Sequence, residues 1–109
     1  MAYDEGIAEI LRGDLADTPG VSEKRMFGGI CFMWNGNMLC GAHAEGGMFR
    51  VGKDNEAAAL EIEGVAPLAF TGRRMGGMVD VADETLADDG RRGALMRLAR
   101  DFVGGLPPK

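Results

Sequence analysis

Few side chains in this chain could do covalent chemistry: one serine, Ser22, one histidine, His43, and two cysteines, Cys31 and Cys40. A hydrolytic triad needs a nucleophile beside a histidine that a carboxylate orients. Ser22 follows a helix stop and has no Gly-x-Ser-x-Gly elbow around it. Cys40 and His43 are three residues apart, which on one strand turns them to opposite faces. The same alternation works against a metal site of Cys31, Cys40 and His43, which would also lack a fourth ligand. The residues therefore point to no catalytic group, no metal set and no cofactor, and the chain reads as a non-enzyme.

The cysteines have a second use. Asn35-Gly36 suits the two positive-φ positions of a type I′ turn, so Ile30 to His43 should fold back as a tight hairpin. Counting outward from that turn, Trp34 opposes Asn37 and Cys31 opposes Cys40. The alternation makes the cysteines a non-hydrogen-bonded pair with Cα atoms about 4.5 Å apart, near enough for a cross-strand disulfide. A thiol redox pair is one reading, and two reduced, packed cysteines in a reducing cytosol is the plainer one.

Anion binding is the remaining chemistry. Phe27-Gly28-Gly29-Ile30 matches neither a dinucleotide fingerprint nor a P-loop. Glycine bends nonetheless expose backbone N–H groups, and basic residues flank two of them. Lys24 and Arg25 precede Gly28-Gly29, while Arg73 and Arg74 precede Gly76-Gly77. These residues are the candidate contacts for an anion or a partner.

The elements that must position these groups follow from periodicity. Ile7, Ile10, Leu11 and Leu15 recur at helical spacing, and Thr18-Pro19-Gly20 ends that helix. Val21–Phe27 and Ile30–Trp34 read as strands, the hairpin returns to His43, and Met48–Val51 makes a further strand after a Gly46-Gly47 turn. Asp54 is expected to cap a short helix through Leu60. Leu68–Thr71 and Met78–Ala82 read as two more strands joined by an arginine-bearing connection, Gly72 to Gly77. Asp88 or Asp89 should open a last helix with an apolar face of Leu95, Leu98, Ala99, Phe102 and Leu106, ended by Pro107-Pro108. The expected fold is α+β and two-layered: an antiparallel sheet of about five or six strands with helices mainly on one face.

The 109 residues make one domain, 1–109. No apolar run approaches the ~20 residues of a membrane span, and the acidic N-terminus lacks a secretory signal, so a soluble, cytoplasmic protein is expected. A net charge of −5 disfavours gripping a phosphate backbone, and direct nucleic-acid binding is not expected. Charge is uneven. Acids dominate residues 1–23 and arginines dominate 91–109, which reads as solvated helix faces or a docking surface. Eight methionines are many for this length. The hairpin would place Ile30, Phe32, Trp34 and Leu39 on one face and Cys31, Met33, Met38 and Cys40 on the other. One helix layer covers only one of them, so a homodimer or a protein partner is expected on the second.

Lys24-Arg25-Met26-Phe27-Gly28-Gly29, Asn35-Gly36-Asn37-Met38 with Cys40-Gly41, Arg50-Val51-Gly52, Phe70-Thr71-Gly72-Arg73 and the closing Leu106-Pro107-Pro108-Lys109 carry a resemblance. Together with Met1-Ala2-Tyr3-Asp4-Glu5 they resemble the TfoX N-terminal domain family end to end. The resemblance implies an antiparallel α+β fold similar to type III secretion chaperones, no catalytic residues, and a regulatory role in bacterial natural competence. The competence regulators of that family carry a second, C-terminal domain without a counterpart in these residues, which implies a stand-alone module.

Overall fold

The structure is a computed structural model that describes residues 3–26, 28–70 and 73–109. Helix α1 spans Glu5–Asp14, and the Asp4 carboxylate caps it by accepting the Gly6 N–H at 2.7 Å. Strands β1 (Val21–Met26), β2 (Gly29–Trp34), β3 (Asn37–His43) and β4 (Gly46–Arg50) follow as a meander. A 3-10 turn, Lys53–Asn55, leads into α2 (Glu56–Leu60). Strands β5 (Val65–Phe70) and β6 (Arg73–Val81) then precede α3 (Asp83–Ala87) and α4 (Asp89–Val103). The strands form one antiparallel sheet in the order β1-β2-β3-β4-β6-β5. Helices α1, α3 and α4 lie against β3 and β4, so the α+β, two-layer expectation holds.

The β2–β3 turn has the expected geometry, with φ of 53° at Asn35 and 84° at Gly36. Beyond it the register departs from a simple hairpin. Trp34 faces Asn37 and Met33 faces Met38, but Phe32 faces Cys40, leaving Leu39 as the extra residue of a β-bulge. Leu39 and Cys40 consequently both enter the helix-side core, beside Phe32, Phe49, Leu11 and Leu95.

Other boundaries moved for local reasons. The β3–β4 turn falls on Ala44-Glu45, and Gly46-Gly47 already belongs to β4, where a Cβ on Gly47 would lie 2.8 Å from Leu86. Asp54 does not cap α2: Asn55 holds the cap position without a side-chain bond there, and its amide donates to the Leu98 carbonyl of α4. The expected connection Gly72–Gly77 is largely strand, because β6 begins at Arg73. Helix α3 was not foreseen. Thr85 anchors it by donating to the Glu63 carbonyl at 2.7 Å, and Gly64, at φ 87°, passes so close that a Cβ would strike that hydroxyl.

Helix α4 opens at Asp88, whose carboxylate accepts the Arg91 N–H. Its buried stripe is Arg92, Leu95, Met96, Ala99 and Val103, turned from the expected one so that Leu98 and Phe102 lie at its border. The turn brings an arginine inward. Arg92 meets Asp14 at 2.6 Å, donates to the Leu86 carbonyl at 2.8 Å and reaches Asp89 at 2.9 Å. Arg100 donates to Thr18 at 2.8 Å and stacks 5.8 Å from the Trp34 ring, whose indole N–H donates to the Pro19 carbonyl. Part of the charge asymmetry is thus an intramolecular docking of the acidic N-terminal region on α4.

Asp14→Ala leaves Arg92 buried without its principal carboxylate. The expected cost is about 2 kcal/mol in urea unfolding, below the ~3–5 kcal/mol of a fully enclosed pair because Asp14 retains some solvent. Asp89→Ala, at a highly exposed partner, should cost a fraction of that. Equal losses would show that the Asp14 contact is not special.

Acid should act through two further carboxylates. Arg12 holds Glu23 below its ordinary range, and the Arg91 amide does the same for Asp88. A depressed folded pKa contributes stability that is present above the unfolded value and is lost as pH falls through the folded one. The stability difference between wild type and Asp88→Ala should therefore shrink as urea unfolding is repeated from about pH 7 down to about pH 3. A difference that stays constant over that range would refute the assignment.

Candidate functional site

The side of the sheet away from α1, α3 and α4 carries soft, apolar side chains in register. Met26 of β1, Cys31 and Met33 of β2, Met38 of β3, Met48 of β4, Leu68 of β5 and Met78 of β6 pack into one cluster. Cys31 and Met48 have no exposed surface, whereas Met26, Met33 and Met38 are partly exposed. At the far end of β3, His43 Nε2 lies 2.6 Å from Asp80 and 3.2 Å from the Gly47 carbonyl. Its Nδ1 accepts the Glu45 N–H, so Nε2 carries the proton and donates. This oriented histidine has neither of the two side chains weighed as nucleophiles, Ser22 and Cys40, beside it. Ser22 stands on edge strand β1 opposite Met33, and Cys40 packs in the helix-side core.

The bulge also corrects the redox pair. Cys31 faces Gly41 and Cys40 faces Phe32, so the two thiols belong to different faces of the sheet. Both are free and buried. Burial pushes the Cys31 thiol up to about 11 and raises Cys40 further still, so neither supplies thiolate at neutral pH.

The basic candidates fall into two pairs, one on β1 and one on β6. Lys24 stands opposite Cys31, on the methionine face, and Arg25 stands opposite Ile30, on the helix face. The two nevertheless border one cleft of about 310 Å³ at the β1 edge, with Tyr3, Arg12, Glu23 and Ile30. There Arg12 is held by Glu23 at 2.6 Å and by Glu9. Gly28 takes a φ of 72° at an exposed position, and Gly29 abuts β3 so closely that a Cβ would meet the Ala42 carbonyl. These glycines serve the β1–β2 turn and the packing of β2. Arg73 and Arg74 belong to β6, opposite Phe70 and Ala69, with β2, β3 and β4 between them and β1. Their side chains lie outside the described residues. The four basic positions do not share one strand edge.

A third place was not singled out by sequence. Arg50, at the end of β4, lies over the Phe102 ring of α4 at 5.4 Å and borders a cleft of about 340 Å³ with Gly52, Lys53, Asp54, Gly76 and Gly77. Gly77 takes a φ of 83°, its carbonyl accepts the Val51 and Gly52 N–H groups, and its own N–H donates to Glu56. The available signal was the glycine pair at 76–77, but only the fold brings Arg50 to it.

The antiparallel α+β fold is the one that the resemblance implied, and the tight Asn35-Gly36 hairpin and the closing helix are those that turn chemistry and periodicity led one to expect. Comparison with family descriptions matches the TfoX N-terminal domain over residues 14–103. The chain belongs to the TfoX N-terminal domain family. No curated protein and no solved structure matches it. The TfoX match runs from Asp14, the partner of Arg92, to Val103, the last residue of α4, and so takes in the whole sheet. For this TfoX domain we expect both thiols to resist a thiol reagent in the native state and to react once urea is added. Mild oxidation should give no intramolecular disulfide by mass spectrometry, and a Cys31–Cys40 bond formed in folded protein would overturn the register argument.

Proposed function

We propose that this TfoX domain is a non-catalytic binding and regulatory module that acts through a protein partner docked on the methionine face and the adjoining edge strand β1. The observation that carries the reading is the continuity of partly exposed Met26, Met33 and Met38 with a strand that ends the sheet order, its outer edge without a strand neighbour among the described residues. Methionine side chains adapt to a partner's shape, and an edge strand offers backbone N–H and C=O groups to an incoming extended segment. A segment laid along β1 would place alternate side chains over Met26 and beside Lys24. The fitting partner therefore alternates apolar and acidic residues on that side. The net charge of −5 favours a protein over nucleic acid. A cytoplasmic setting and a regulatory role of the kind found in bacterial natural competence complete the proposal, and a second copy of the chain is one form the partner can take.

Crosslinked affinity purification with three baits tests this: wild type, Lys24→Glu with Met33→Asp, and Arg97→Glu as a charge control on α4. One protein recovered by wild type and by the control but lost by the double variant supports the surface. Recovery by all three alike, or by none, sinks it. Light scattering on the same proteins identifies a second copy as the partner if wild type is dimeric and the double variant is not.

A further inference from the structure

We infer that the cleft between the β4–α2 connection, β6 and α4 is a binding site for a small oxyanion, a phosphate or carboxylate group, gripped by Arg50 and Lys53. Arg50 is half-buried, and its guanidinium carbon lies over the Phe102 ring, 5.4 Å from the centroid, with no ion pair or hydrogen bond among the described residues. A cation–π contact restrains the side chain without using its N–H fork, which suits bidentate recognition of an oxyanion. Lys53 lines the same cleft and likewise has no ion-pair partner among the described residues. In the other clefts Arg12 is engaged by Glu9 and Glu23, and Arg92 by Asp14 and Asp89, and the basic side chains left over there, Lys24, Arg25 and Arg97, have no aromatic ring beneath them among the described residues.

Gly52, Gly76 and Gly77 contribute only backbone to the cleft, and the bare positions at Gly52 and Gly76 let Phe102 and Lys53 pack close beside it. A Cβ on Gly52 would lie 2.4 Å from the Phe102 ring, and one on Gly76 would lie 3.2 Å from the Lys53 side chain. The volume of about 340 Å³ stands near the lower end for small-molecule sites, which run from ~300 to ~1,000 Å³. Two acids limit the site. Glu56 is engaged with the Gly77 N–H, and Asp54 borders the cleft, where it opposes an incoming anion. Neutralising Asp54 should therefore tighten binding.

The test is thermal unfolding of wild type, Arg50→Gln, Lys53→Gln, Asp54→Asn and an Arg97→Gln control, in inorganic phosphate or in acetate, with chloride holding ionic strength constant. At about tenfold excess over the dissociation constant, one of the two anions should raise the Tm of wild type and the control by about 6 °C. Arg50→Gln and Lys53→Gln should each weaken binding about tenfold or more, and Asp54→Asn should strengthen it. Protection by phosphate alone identifies a phosphoryl ligand, and protection by acetate a carboxylate. Amide NMR of wild type localises the effect independently of how stable the variants are, with Gly52, Gly76 and Gly77 expected to shift. No protection by either anion, equal protection of all five proteins, or shifts confined to other residues would overturn the site.

Discussion

The two faces of the sheet depend on one extra residue in β3: with Phe32 opposite Cys40 and Met33 opposite Met38, Leu39 has no partner, and both it and Cys40 turn toward the helices. A period-two strand cannot otherwise present two successive side chains to one layer. The bulge adds a leucine and a thiol to the helix-side core and leaves Met38, Gly41 and His43 on the far side of β3. Gly41 there is bare, and the Met48 methyl and the Cys31 backbone occupy the space its side chain would need. The methionine cluster therefore rests on the same irregularity that parts the two cysteines.

Around this sheet, long-range polar contacts close the molecule. Asp14 and Arg92 are 78 residues apart, as are Arg100 and Thr18 by 82, and Asn37 reaches the Pro107 carbonyl across 70. Each ties α4 or the tail that follows it to a neighbouring element, so the side-chain chemistry of the C-terminal third is largely spent on docking. Arg50 and Lys53 are not used in this way among the described residues.

Much of the fold was legible because it rested on local rules. The positive-φ pair at Asn35-Gly36, the Asp88 cap and the period of α1 are each decided by a few adjacent residues. The bulge was not legible, since nothing near Leu39 marks it; it satisfies a core that needs another apolar group on the helix side. Helix α3 is only five residues long, and its fixing contact comes from Glu63, far back in the chain. Arg73 and Arg74 looked like loop residues beside a glycine pair, yet pairing with β5 makes them strand. The candidate surfaces shared this limit. Methionine enrichment was visible in composition and the face it occupies followed from alternation, but the cleft at Arg50 needed β4, β6 and α4 to meet.

The sheet order also sets a sequence of assembly. Strands β1 to β4 pair with their chain neighbours, so that meander can form from short-range contacts, whereas β6 must come back past β5 to join β4. The apolar side of the meander is covered by α1 and by α4, and α4 lies at the other end of the chain. During synthesis Phe32, Leu39 and Phe49 would thus be paired as strands before α4 can complete their cover, for as long as the last helix takes to leave the ribosome. In that interval α1 is the one long helix available to the helix side of the nascent sheet, and the Leu95 and Ala99 stripe completes the layer only at the end.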